Sequence, residues 1–323
     1  MKIIRLVSIT LAVLLAFTAC SGGVERTDAQ SYIARTAPAV QVADASQTAP
    51  QAADSTSTGV TILESGFRKD LAVAKGTAWI DVSSVADGYV AVAAICDKRL
   101  KFQVICGQAT YNYDMKSDGT PSVFPLQSGS GEYRFRIMKN TTDKKYAEMH
   151  SVTCAVALKD EFQPFLRPSA YVNYNRDSKC VAKAAELTKN CKNDLEKIKA
   201  VYDFVCKTVK YDHQKAKTVQ SGYLPTPDET MATGKGICFD YASLAASMLR
   251  SQGIPTKVIF GYVSPNGLYH AWNMFYTKES GWVTVSYQLN PSDWTRMDLT
   301  FSANGADGRF IGDGGNYKDV YMY

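Results

Sequence analysis

Between about residue 60 and residue 168 the chain is written in short runs with strand character: "TAWIDVSS", "YVAVAAI", "KFQVIC", "EYRFRIMKN" and "SVTCAVAL". They are separated by "ADG", "KSDGTP" and "SGSG", which is turn chemistry. Turns recurring at roughly ten to fifteen residues predict a small antiparallel β-sandwich, Ig-like in layout, over 61–170. The pattern changes at "PFLRPSAYVNYN", where two prolines and a polar stretch mark a junction near 168–178. In "NDLEKIKAVYDFVCKTVKYD", Leu195, Ile198, Val201, Tyr202, Val205 and Val209 fall at helical spacing, with Asn193 or Asp194 placed to cap the start. "SGYLPTPDETMATGKG" reads as a punctuated loop, and "ICFDYASLAASMLR" as an apolar helix that "GIP" at 253–255 stops. "TKVIFGYV", "HAWNMFYT", "GWVTVSYQL" and "WTRMDLTF" then read as strands. Helices followed by strands over 171–323 predict an α+β domain after the sandwich.

The N-terminus departs from this patterning. "MKIIRLVSITLAVLLAFTAC" has a basic start (Lys2, Arg5), an apolar run from Leu6 to Phe17 and the small pair Thr18-Ala19 before Cys20. Residues 1–20 have the form of an export signal rather than a membrane span. Its end resembles a bacterial lipobox, with Phe17 where leucine is usual, which makes Cys20 the candidate lipidated residue; an ordinary cleavage near Ala19 is the alternative. Residues 21–60 are rich in Ala, Ser, Thr, Gln and Asp and poor in large apolar side chains. Such a stretch forms no core, and as a coil of some forty residues it reaches roughly 35 Å. The expectation is a folded part leashed by lipid to the extracytoplasmic face of a cell membrane.

A net charge of +5 over 323 residues, with no basic run, carries no signature of nucleic-acid binding. Eight cysteines in an exported chain call for an account. With Cys20 and Cys238 set apart, Cys96, Cys106, Cys154, Cys180, Cys191 and Cys206 are either bridged or buried thiols. Cys96 and Cys106, bracketing "CDKRLKFQVIC", make the most plausible bridge. Cys180 and Cys191 cannot bond within one unbroken helix, since eleven residues rise roughly 16 Å. No CxxC or Cys/His metal spacing occurs, so neither zinc nor any other cofactor is expected.

Candidate chemistry gathers around Cys238. A thiol attacks as thiolate, and the start of a helix favours the anion through its unpaired amides and positive dipole end. Gly234 and Gly236 are expected to turn the Cys238 side chain and amide toward a cleft, where the amide can hold an oxyanion. Of the three histidines, His150 falls in the sandwich and His213 beside a lysine-rich loop; His270, in "GLYHAWNMFYT", is the candidate base. A third group must hold the other imidazole nitrogen. Asp298 in "WTRMDLTF" is the choice, with Asp293 second.

These residues carry a resemblance. "GKGICFDYASLAASMLRSQGIPTKVIFGY", "YHAWNMFY", "GWV" and "WTRMDLTF", with "AVYDFVCKTVKYD" upstream, are similar to the transglutaminase-like superfamily over about 195–315. The resemblance implies a papain-like catalytic domain and a triad of Cys238 as nucleophile, His270 as general base and Asp298 as orienting acid. Leu299 stands where the family has proline, and Ser286 where many members carry the aspartate. Crosslinking members use a tryptophan upstream of the cysteine as oxyanion donor. The tryptophans here, Trp79, Trp272, Trp282 and Trp294, do not supply it, so Tyr202 and Tyr223 become the oxyanion candidates. Asp240 and Tyr241 of "CFDYA" are expected to brace the helix, and Trp272 to pack behind His270. The implied partners are a protein, peptide or cell-wall peptide substrate, with no calcium. The implied activity is hydrolysis of peptide or isopeptide amides through a thioester. Crosslinking acyl transfer, or a surface-binding protein with a vestigial triad, are the alternatives.

Overall fold

A computed structural model describes residues 62–263, 268–278, 281–284 and 317–323. The signal, the linker, Cys20, Ser286, Asp293, Trp294 and Asp298 lie outside the described residues.

The first half is two antiparallel sheets. Strands β1 (Val73–Lys75), β2 (Ala78–Asp81), β3 (Tyr89–Ala94) and β6 (Ser122–Pro125) form one, in that order. Strands β5 (Ala109–Met115), β4 (Leu100–Cys106), β7 (Gly131–Thr142) and β8 (Lys145–Val156) form the other. The sheets meet face to face through large rings: Phe102 of β4 lies 5.0 Å from Phe124 of β6, and Tyr113 of β5 lies 4.4 Å from the same ring. Strand β5 had no place among the expected strands because its buried face is written with Tyr111, Tyr113 and Met115, while Asn112 and Asp114 alternate outward. Period-two burial, rather than β-branched content, is what marks it. The expected Cys96–Cys106 bridge does not form, and both thiols are free. Cys106 ends β4 and Cys96 lies four residues before its start at Leu100, and the seven residues of the strand alone span roughly 20 Å at about 3.3 Å each. Cys154, Cys180, Cys191, Cys206 and Cys238 are free as well.

The second half layers helices on a sheet. Helices α1 (Lys179–Thr188), α2 (Asp194–Thr208), α3 (His213–Thr218), α4 (Pro227–Thr233) and α5 (Cys238–Ser251) lie beside an antiparallel sheet of order β13-β12-β11-β14. Its strands are β11 (Thr256–Val263), β12 (Leu268–Thr277), β13 (Gly281–Thr284) and β14 (Tyr317–Met322). Two short strands, β9 (Lys210–Tyr211) and β10 (Lys235–Gly236), pair in parallel between the helices. The segment expected as a loop before the cysteine contains α4, which opens with Pro227 and carries Asp228 and Glu229 in its first turn. Proline at the first helical position loses no hydrogen bond, so punctuation that reads as a loop begins a helix here.

Helix α5 is central. Every residue from Phe239 to Ser251 is buried, with α1, α2 and α4 on one side and β11 and β12 on the other. Ala245, Ala246, Ser243 and Ser247 keep its surface small enough for approach from several directions. Its C-terminal end is fastened by Arg250, which is 2% exposed. The guanidinium donates to the carbonyl oxygens of Thr256 (2.9 Å), Arg167 (2.7 Å) and Tyr323 (3.2 Å), tying helix, β11 and two distant segments together.

One buried apolar cluster runs through both halves. Its bridge is a relay of rings from the sandwich to the helix start: Tyr113 to Tyr171 at 5.5 Å, Tyr171 to Phe239 at 5.2 Å, and Phe239 to Phe260 at 4.9 Å. The relay ends beside Cys238.

Candidate active site

The segment leading to Cys238 is set by close packing. Gly234 caps α4 at φ 62°, and a Cβ there would stand 2.9 Å from the Thr208 carbonyl oxygen. The β9–β10 ladder then aligns the chain, with Lys210 N–H donating to Gly234 O and Asp212 N–H to Gly236 O, each at 2.9 Å. A Cβ on Gly236 would come within 2.6 Å of the Asp240 Cβ. The glycines are therefore required by a left-handed cap and by contact with Asp240, rather than by exposure of a cleft. Ile237 is the extended N-cap residue and offers no side-chain cap. In its stead the Asp240 carboxylate accepts the Ile237 N–H at 2.8 Å. Cys238 is the first helical residue, so its amide belongs to the opening group that a helix leaves without an intrahelical acceptor.

Cys238 and His270 line the same cavity, of about 120 Å³. The rest of its wall is largely aromatic: Tyr171, Phe239, Phe260, Tyr269 and Tyr323, with Tyr211 and Tyr223 on the side of the α3 segment. His270, 3% exposed, sits on β12 opposite Gly261 of β11. Asn273, three residues on, donates to the carbonyl oxygens of Ala242 (3.0 Å) and Lys257 (3.3 Å), which pins β12 onto α5 and fixes where His270 stands along the helix. The Trp272 ring stacks 6.3 Å from the imidazole.

The tyrosines divide differently from expectation. Tyr202 is buried in α2 with its ring edge-on to Phe275, and it is not among the residues of the cavity wall. Tyr223 reaches the cavity, but its hydroxyl donates to Asp240 and accepts from Lys215 Nζ at 2.7 Å. Burial, then the Asp240 contact, push that phenol well up, and its proton is committed to the carboxylate. A further tyrosine of the cavity wall is Tyr211. It lies on β9, which the ladder to β10 sets beside the residues preceding Cys238, and it lines the cavity. Burial first, then the charge of Cys238, Tyr241 and Asp240, push its phenol up, so it remains a neutral O–H donor. The signal in the sequence was the pair of two-residue strands, too short for any periodicity.

Asp240 and Tyr241 do hold the helix start: Tyr241 Oη donates to Val209 O at 2.7 Å, and Asp240 serves as described. Asp293 and Asp298 lie outside the described residues. The register sets Asp319 of β14 across Gly261 from His270. Among the described residues no group of three or more His, Cys, Asp or Glu side chains is arranged to hold a metal ion, and no helix is long and apolar enough to cross a membrane.

A buried helix that opens on a cysteine and lies against an antiparallel sheet bearing a histidine is the α+β layout of papain-like proteins. Within that class, residues 181–287 match the model of the transglutaminase-like superfamily. The chain is 37% identical over 73 residues to a protein-glutamine gamma-glutamyltransferase of Pseudomonas aeruginosa, which covers 18% of this chain and 11% of that protein. It is 24% identical over 209 residues to the uncharacterised protein YebA of Bacillus subtilis, covering 57% of this chain and 28% of that one. The chain thus spans less than a third of the length of either relative. Among solved structures, the periplasmic domain of TgpA from Pseudomonas aeruginosa aligns over 74% of this chain and 97% of its own, at 14% identity and a TM-score of 0.34.

Proposed function

We propose that the protein is an extracytoplasmic thiol enzyme, anchored through Cys20, that cleaves peptide or isopeptide amides. The observation that carries the proposal is the shared cavity: a helix-opening cysteine and a buried histidine face one apolar space. Cys238 Sγ attacks the amide carbonyl carbon, His270 having taken the thiol proton. The tetrahedral oxyanion is held by the Cys238 amide and the Tyr211 hydroxyl. Collapse expels the amine, which takes its proton from the imidazolium, and leaves a thioester that water hydrolyses. Asp298 is the group proposed to orient the imidazole.

The size and lining of the cavity fit one apolar group, since a cavity of about 150 Å³ walled by apolar side chains holds a benzene ring. Hydrolysis is favoured over crosslinking because no tryptophan falls between Trp79 and Trp272; Tyr211, which lines the cavity, is the hydroxyl proposed for the oxyanion. The test uses a set of peptide amides and isopeptides, each assayed with and without a primary amine. The expected product is the free acid with amine present. Cys238→Ala is expected to lose activity by about 10³-fold or more, and Tyr211→Phe to lower kcat by about 10²-fold. Preferential amine incorporation would establish acyl transfer, and full activity in Cys238→Ala would end the proposal.

A further inference from the structure

Asp240 is an awkward neighbour for a thiolate. It is fully buried, and its carboxylate folds back onto the amide of Ile237, the residue before the cysteine. A negative charge there opposes a second one on Cys238 and cancels the help of the helix start. Yet the carboxylate cannot be dispensed with, because it caps α5 and fills the space beside Gly236.

The compensation comes from α3. Lys215 Nζ lies 2.8 Å from Asp240 Oδ2 and also donates to Tyr223 Oη at 2.7 Å, stacking 4.4 Å over that ring. The Lys215 side chain is 30% exposed, and Asp240 is wholly screened from water, so the pair is closed on the protein side. The surrounding groups offer no substitute. Tyr211 and Tyr223 are held neutral, and Asp114, which reaches the cavity from β5, is already matched by Arg99 and Lys101, each at 3.3 Å. On β12 the facing groups are Tyr269 and His270, the proposed base; Tyr171 and Tyr323 complete the wall.

We infer that Lys215 is a positioning residue for the reaction: by pairing with Asp240 it offsets the negative charge that would oppose a thiolate on Cys238, and through Tyr223 it holds the α3 side of the cavity in place. This rests on Cys238 being the nucleophile. A lysine in a segment with no expected role thereby sets the reactivity of a cysteine that it does not itself contact through any hydrogen bond.

The test is the rate of Cys238 alkylation by iodoacetamide against pH, followed by peptide mass spectrometry on the full chain. This reads thiol ionisation without any substrate. Lys215→Met is expected to move the midpoint up by about one pH unit, since one unbalanced charge several ångströms away acts at roughly that scale. Asp240→Asn, which keeps an oxygen for the Ile237 amide, is expected to move it down. Lys215→Arg and the double variant Lys215→Met/Asp240→Asn should both return close to wild type. An unmoved midpoint in either single variant, or shifts of the same sign in both, overturns the inference. Should Cys238 react no faster than the other thiols in the wild-type chain, it is the proposed nucleophile that fails instead.

Discussion

Among the described residues two cysteines stand in the first turn of a helix, in opposite surroundings. Cys180, at the second residue of α1, is fully buried, and its amide donates to Asp228 Oδ1 at 2.8 Å while that of Lys179 donates to Oδ2 at 2.9 Å. Burial first, then the Asp228 carboxylate, push its thiol far up. Cys238 opens α5 onto a cavity, its helix capped by a carboxylate that Lys215 neutralises. The dipole is common to both helices; what differs is whether an uncompensated acid occupies the anion position and whether a cavity lies in front. A helix start is therefore a place where a thiolate can be stabilised, and at Cys180 burial first, then the neighbouring carboxylate, opposes it.

The comparison breaks most visibly in activity. Cys180→Ala is expected to keep amide hydrolysis within about threefold of wild type, against the loss of about 10³-fold or more in Cys238→Ala. Steady-state kinetics on one peptide substrate checks both. Next in size is the anchoring of α5, which keeps Cys238 and His270 in one wall. Arg250→Met leaves three carbonyl oxygens without their guanidinium donor and should cost about 3 kcal/mol in urea unfolding. Asp228→Ala removes the cap from α1 at a cost of about 1 kcal/mol, and it should make Cys180 more reactive toward iodoacetamide once the protein opens locally. Although burial opposes it, the amides of Cys180 and Lys179 hold the Asp228 carboxyl below the usual range. The stability it supplies is present above the ordinary carboxylate pKa and is lost as pH falls through the lowered value. The Asp228→Ala chain should therefore be less acid-sensitive than wild type, as urea midpoints at pH 3 and pH 6 would show.

The smallest expected effect is at Lys257 on β11, whose amine sits 3.7 Å over the Trp282 ring and 4.6 Å over Phe165. Burial pushes it down to about 8 from an ordinary 10.5. Between those values the unfolded chain holds a proton that the folded chain has released, so the contribution of this residue to stability rises with pH. Lys257→Met should flatten that rise, measured as the difference in urea midpoint between pH 7.5 and pH 9.5.

The residue pattern carried the parts of this fold that rest on repetition. Alternating apolar runs gave β2, β3, β4, β7 and β8, and helical spacing gave α2 and α5, because each buries one face or one whole element. Cys238 and His270 stood out for their local context, and the structure brings both to one wall. Hidden from that kind of argument were features made by single close contacts. The trans cap that Asp228 provides to α1 and the salt bridge from Lys215 join residues far apart in the chain, and the Gly236–Asp240 approach is a single close contact at a helix start; none has a period to announce it. Tyr211 was hidden in the same way: two residues of strand set it opposite Gly236 and in the cavity wall, while Tyr202 lies in a helix core and Tyr223 on a carboxylate.

The most direct test of the central claim is to trap the covalent intermediate. The full chain is mixed with an activated peptide ester, quenched in acid within one turnover, and digested for mass spectrometry. A single acyl adduct on the peptide containing Cys238, absent in His270→Ala, is the predicted result. An adduct on another residue, one spread over several thiols, or one formed equally well without His270 would contradict it.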